Sequence, residues 1–182
     1  MRVIVPLAEG FEEIEGVTIV DVLRRAGVSV TTAFLKKNPV SGSHGIAVTA
    51  DKNIDNIRAS DFDCIALPGG MPGSNNLKED GRVIDLILEF SSGGKVTAAL
   101  CAAPLVLGHA GVLRGKRATC FPGFEDQMIG AVAVPEPVVR DGLIITGKGA
   151  GCAIPFSLEL VAALVGEDVA LGVKERMQVY WM

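Results

Sequence analysis

Short apolar runs alternating with helical stretches constrain this chain more than any other feature. Residues 2–6, 28–34, 64–67 and 96–100 are rich in Val, Ile, Ala and Thr, and Gly or Pro closes several of them. Between them lie stretches whose apolar residues recur at helical spacing, notably 10–26, 82–90, 153–165 and 167–178. Apolar strands that alternate with helices belong to a mainly parallel sheet covered on both faces, an α/β sandwich. Residues 46–50 read as a possible edge strand. Residues 138–146 read as a hairpin, because Asp141-Gly142 supplies the positive φ values of a tight turn. No repeat, low-complexity tract or linker interrupts the pattern, so residues 1–182 are read as one domain.

Residues 95–111 are the stretch on which function depends. Val96 to Leu100 is a buried strand, and from Ala102 onward Leu105, Val106 and His109 fall at helical spacing with Pro104 in the first turn. Cys101 sits at the join, the geometry of a nucleophile elbow with cysteine in place of serine. A thiol there faces free backbone N–H groups and the positive end of the helix dipole, so it is expected to ionise more readily than a free cysteine. The competing reading is a buried structural cysteine, the commonest fate of this residue.

Composition narrows the classes. The chain carries a net charge of −4 without basic clusters, which argues against nucleic acid and anionic membrane as partners. No apolar run is long enough to span a bilayer and no signal-peptide pattern opens the chain, so a cytoplasmic location is expected. Cys64, Cys101, Cys120 and Cys152 show no paired spacing, which suggests neither a metal site nor a disulfide framework.

In a parallel sheet, ligands bind beyond the carboxyl ends of the strands. That rule gathers the loop after Pro6, the Pro68-Gly69-Gly70 turn and Cys101. Glu15 shares a helical stripe with Thr18, Ile19, Val22 and Ala26, the stripe that faces the sheet. A glutamate there needs a partner or stays protonated, and a protonated Glu15 can donate to a thiolate. Glu12 and Glu13 read instead as exposed first-turn glutamates favoured by the helix dipole. The N–H groups of Gly69 and Gly70 can join that of Ala102 around an oxyanion. The glycine-rich loop 147–151 lacks the spacing of a phosphate loop and reads as tight packing. Of the two histidines, His109 lies eight residues beyond Cys101 on the same helix, about 12 Å away, and cannot serve as its base. Cysteine–glutamate chemistry remains.

Three motifs, Glu-Gly-Phe-Glu-Glu-Ile-Glu ending at Glu15, Leu67-Pro-Gly-Gly70, and Ala98-Ala-Leu-Cys-Ala-Ala-Pro104, carry a resemblance to the ThiJ/PfpI superfamily. More narrowly, the chain resembles the branch of the parkinsonism-associated deglycase and the bacterial chaperone YajL. The resemblance implies a flavodoxin-like sandwich, a homodimer and an oxidation-sensitive cysteine at Cys101. It also implies a protonated partner at Glu15, oxyanion-binding amides at Gly70 and Ala102, and no cofactor or metal. Gly69, Arg25, His44 and Phe121 match pocket or anion-binding positions. Phe121 stands where the deglycase has a histidine, so proton transfer falls to Glu15 or water. Ala102 replaces the histidine of the family's proteases, which counts against proteolysis. The implied activity is conversion of small 2-oxoaldehydes to hydroxy acids, or repair of early glycation adducts. The rival is a redox-sensing or chaperone protein whose Cys101 is oxidised to a sulfinic acid.

Overall fold

Along the central strands, alternate side chains enter two different cores. In β1 (Arg2–Leu7), Ile4 belongs to one and Val3 and Val5 to the other; in β7 (Val96–Leu100), Ala99 opposes Val96, Ala98 and Leu100. The computed structural model, which describes residues 1–180, is accordingly a sheet with helices on both faces. Its strands run in the order β10 (Val138–Asp141), β11 (Ile144–Gly147), β7, β6 (Cys64–Leu67), β1, β2 (Ser29–Phe34), β5 (Lys52–Asn53). Every pairing is parallel except the β10–β11 hairpin at one edge.

One core packs α2 (Gly73–Glu79), α3 (Gly81–Ser92) and α4 (Pro104–His109) against the sheet through Leu77, Ile87, Phe90 and Leu105. The other packs α1 (Glu13–Arg25), α5 (Ala153–Val165) and α6 (Glu167–Arg176) through Ile19, Leu23, Phe156 and Val173. Both cores are nearly all aliphatic, with a few phenylalanines at the widest places. No helix among the described residues is long and apolar enough to cross a membrane.

The stretch 46–50 departs from the expected edge strand. Ala47–Val48 (β4) pairs antiparallel with Val40–Ser41 (β3) in a separate two-stranded ribbon, and Lys52–Asn53 takes the sheet edge instead. Ser43, His44 and Gly45 turn the ribbon, and Phe11 bridges to Gly42, so the ribbon docks on the start of α1. A further ribbon joins β8 (Arg117–Ala118) to β9 (Val132–Ala133).

The strand order reverses between β1 and β6. From β1 the chain moves outward to β2, and it later returns to β6 on the other side. The crevice at such a switch point is where open α/β sheets bind ligands. The loop after β1, the glycine turn after β6 and the end of β7 all open there.

Candidate active site

Cys101 adopts φ +62°, one of two positive-φ residues other than glycine among the described residues. A left-handed conformation at a residue with a Cβ is uncommon and persists only where neighbours hold it. They do so here. The Cys101 N–H donates to Gly147 O at 2.9 Å, extending the β11–β7 ladder one residue past the strand, and its carbonyl accepts from Phe121 N–H at 2.8 Å. The Ala103 N–H returns to Leu100 O at 3.0 Å, closing the turn that leads into α4. The strand therefore ends at a fixed point with the thiol half-buried.

Glu15 comes to the same point from the first turn of α1 and has no exposed surface. Its Oε2 accepts the Gly69 N–H at 2.7 Å. The other oxygen, Oε1, is buried with no hydrogen-bond partner among the described residues. Burial raises the Glu15 carboxyl to about 7 and the Glu12 charge adds to this, while the Gly69 N–H and the Cys101 thiol oppose it. A proton on Oε1 removes the cost of the orphaned buried charge and supplies a donor beside the sulfur.

The thiol is not the readily ionised group the sequence suggested. Burial, then the Glu15 charge and its hydrogen bond, push Cys101 up to about 12, and the Ala102 and Gly70 N–H groups pull the other way. The helix-end amides are present, but two backbone donors do not outweigh a buried carboxylate neighbour. Thiol and carboxyl titrate as a pair. With the proton on Glu15 the opposing charge is gone; burial still acts upward on the thiol, and the Gly70 and Ala102 amides favour its thiolate form.

The glycines at the turn are required sterically. A Cβ on Gly69 would lie 2.7 Å from Cys101 Cβ and from Leu100 O. Gly70, at φ +89°, would place one 2.3 Å from Glu12 N. Gly69 also accepts the Glu12 N–H at 2.8 Å, so the glycine turn is tied to the start of α1 on one side and lies against the elbow on the other.

Of the other positions singled out in the sequence, Phe121 reaches the site through its backbone bond to Cys101, with its ring 48% exposed over the loop at Gly149. His44 lies at the tip of the β3–β4 ribbon, 69% exposed at its side chain. Its Nδ1 is 3.1 Å from Glu13 Oε2 and 3.4 Å from Glu12 Oε1, and these carboxylates raise its ionisation above the usual histidine range. Arg25 is not brought to the site. It ends α1, ten residues from Glu15 and about 15 Å along the axis, and donates to Asp21 at 2.6 Å on the exposed face. His109 is exposed at the end of α4.

Glu13 is the residue that sequence reasoning misplaced. It is 4% exposed rather than a solvated first-turn glutamate. Its Oε1 accepts the N–H groups of His44 and Ile46 at 2.8 and 3.1 Å, and Oε2 meets Ser43 Oγ at 3.3 Å. Burial alone would raise this carboxyl, but its own backbone N–H, the N–H and ring of His44 and the Ile46 N–H hold it at about 2. The signal was long-range, a loop some thirty residues away, and helical periodicity carries no trace of it.

With that geometry in hand, the comparisons with known proteins are specific. The DJ-1/PfpI family pattern matches residues 1–163. The protein DJ-1 homolog B of Arabidopsis thaliana is 40% identical over 94% of this chain, which spans only 40% of that longer relative. A deglycase of Pyrococcus abyssi is 32% identical, over 90% of this chain and 99% of its own. Among solved structures, oxidised DJ-1 of Toxoplasma gondii superposes with a TM-score of 0.94 at 36% identity, covering 98% of this chain and 99% of the other.

Proposed function

The chain belongs to the DJ-1/PfpI family, and from that premise we propose that it is a stress-response protein whose Cys101 acts on small 2-oxoaldehydes or their early glycation adducts without a cofactor. The observation that carries this reading is the buried, unpartnered Glu15 Oε1 beside a thiol that two backbone amides also face. The deglycase relative supports the substrate class.

The chemistry follows from the positions of these groups. The thiolate attacks the aldehyde carbon of methylglyoxal, and the new oxyanion is received by the Gly70 and Ala102 N–H groups. Protonated Glu15 neutralises that oxygen, becoming a carboxylate. As a base it then takes the hydrogen from the same carbon and delivers it to the adjacent carbonyl carbon, while the hydroxyl proton on the first carbon's oxygen passes to the oxygen of the second. The product is a lactyl thioester on Cys101, and water hydrolyses it to lactate and free thiol. One aldehyde and one water enter, one hydroxy acid leaves, and no electron acceptor is needed.

A second reading is supported by the oxidised state of the Toxoplasma relative. Peroxide oxidises the Cys101 thiolate in two steps to a sulfinate, which protonated Glu15 and the two amides hold. Purified protein incubated with methylglyoxal, with and without peroxide pretreatment, separates the two. Lactate formation that peroxide abolishes supports the enzyme reading; no lactate, with stoichiometric sulfinate by mass spectrometry, supports the sensor.

A homodimer is proposed as well. Ile14 and Val17 are 57% and 51% exposed on the outer face of α1, beside a cleft of about 330 Å³ lined by Phe11, Val17, Val20 and Val48. A copy of the chain seated on that face covers the apolar strip.

A further inference from the structure

We propose that Glu13 is a positioning residue for the thiol site: its carboxylate straps the loop 41–46 onto residues 10–12, and that segment in turn fixes the glycine turn that aims at Cys101. The proposal rests on Cys101 being the reactive centre.

The strap has three layers, each visible in its hydrogen bonds. In the outer layer, Glu13 Oε1 holds the N–H groups of His44 and Ile46, and Oε2 meets Ser43 Oγ and His44 Nδ1. The carboxylate lies so close to Gly42 that a Cβ there would be 2.2 Å from Glu13 Cδ. In the middle layer, loop and segment exchange backbone bonds: Gly10 N–H donates to Ser41 O at 2.8 Å, and Ser43 N–H to Phe11 O at 2.8 Å. In the inner layer, Glu12 N–H donates to Gly69 O at 2.8 Å and Gly73 N–H to Gly10 O at 3.1 Å. The inner layer is the glycine turn itself, whose Gly69 N–H holds Glu15 and whose Gly70 N–H faces the sulfur.

Among the described residues, Glu13 is the buried side chain whose hydrogen bonds join the outer layer to α1. The loop it holds has strands of two residues each, and besides the backbone bonds of the middle layer its other side-chain ties to this end of α1 are Ser43 Oγ and His44 Nδ1 to the half-buried Glu12 at 3.1 and 3.4 Å. Backbone bonds to an ionised carboxylate are about twice as strong as neutral ones, and an aimed amide loses its effect on a neighbouring charge within a small displacement. Release of the outer layer lets the segment 10–12 shift, and the Gly70 N–H with it. The groups that face Cys101 electrostatically are Glu15 and the Ala102 and Gly70 amides, and Glu12 acts on Glu15; Glu13 is not among them. Any effect of Glu13 on the thiol is therefore transmitted by position.

The test is the pH profile of Cys101 alkylation by iodoacetamide in Glu13→Gln, read by mass spectrometry, alongside amide hydrogen exchange at His44 and Ile46. Glu13→Asp carries the same measurements if the first variant fails to fold. The expected result is faster exchange at both amides and an alkylation midpoint displaced upward by about half a unit, because the amide that favours the thiolate is no longer aimed. Glu13→Asp should show the same direction with a smaller displacement. An unchanged midpoint, or unchanged exchange at both amides, overturns the proposal. Alkylation requires no turnover, so absence of aldehyde activity in the parent protein would count against the proposed function and leave this test intact.

Discussion

Glu13 and Glu15 lie two residues apart in the first turn of α1, are both buried, and are driven in opposite directions: Glu13 to about 2 and Glu15 to about 7. Burial acts upward on both. The difference is the number of donors: Glu13 meets its own N–H, two backbone N–H groups of the loop and His44, whereas the Gly69 N–H and the Cys101 thiol are what oppose burial at Glu15. One helix turn thus holds a permanent anion and a proton carrier side by side.

The first prediction concerns stability against pH. Glu13 binds its proton less well folded than unfolded, so its contribution is full above about pH 4.5 and is lost as pH falls through about 2. Glu15 binds its proton better folded, so its contribution is full below about pH 4.5 and is lost as pH rises through about 7. Melting temperatures measured across this range should show the Glu13→Gln variant with a flattened acid limb. The Glu15→Gln variant should gain on wild type between about pH 5 and about pH 8. The opposite trend in either variant would reverse the assignment of which carboxyl carries the proton.

Cysteine identity is the second. Cys101→Ser should reduce lactate formation from methylglyoxal to background, while Ser at Cys64, Cys120 or Cys152 retains most of it. Cys64 is fully buried, and Cys120, although its thiol is raised less than that of Cys101, has the exposed Glu125 and the half-buried Lys148 as its charged neighbours rather than a buried carboxyl and the amides of the glycine turn. Comparable loss on replacing Cys120 would move the nucleophile to that residue.

Third, Glu15→Gln should fold and lower turnover by about a hundredfold or more, since an amide keeps the shape but cannot carry the hydrogen between carbons. The limb of the rate–pH profile near neutrality should disappear with it. Steady-state kinetics with a circular-dichroism control check this, and wild-type turnover in the variant would remove Glu15 from the mechanism.

Fourth, Gly69→Ala should cost about 1–3 kcal/mol of stability and slow Cys101 alkylation, because the added methyl meets Cys101 Cβ and Leu100 O at 2.7 Å, and backbone cannot move aside as a flexible side chain can. Denaturant unfolding gives the first quantity and timed mass spectrometry the second.

Fifth, the chain should sediment as a dimer at micromolar concentration, and Val17→Asp should yield monomers. A wild-type monomer by light scattering removes the dimer; a dimeric variant moves its interface away from α1.

What the sequence disclosed and what it withheld divide along the range of the interaction. The alternation of strands and helices, the strand-to-helix join at Cys101 and the buried stripe carrying Glu15 are written in local periodicity, and the structure has a strand ending at Leu100, a helix starting at Pro104 and Glu15 buried on α1. The role of Glu13 was invisible because its partners, His44 and Ile46, come from a ribbon whose pairing is itself set by docking. The raised thiol was misjudged for a related reason. A helix end is legible in one segment, whereas the burial that raises the thiol and the Glu15 carboxylate that adds to it both come from other segments, and proximity of segments is a property of the assembled sheet. Arg25 shows the converse, a residue matched by motif whose helix carries it away from the crevice.

The switch point between β1 and β6 places the acid and the thiol on segments made at different times. Glu15 emerges early during synthesis, the glycine turn midway, and Cys101 only after half the chain; the carbonyl of Gly147 that braces the elbow comes later still. Until β11 joins β7, the Cys101 N–H has no Gly147 carbonyl to meet, and the turn lacks one of the two backbone bonds that brace it. The setting of the thiol is therefore assembled from segments on both sides of it in the chain, and a truncation before β11 removes the Gly147 brace while leaving Glu15 and the glycine turn in the sequence.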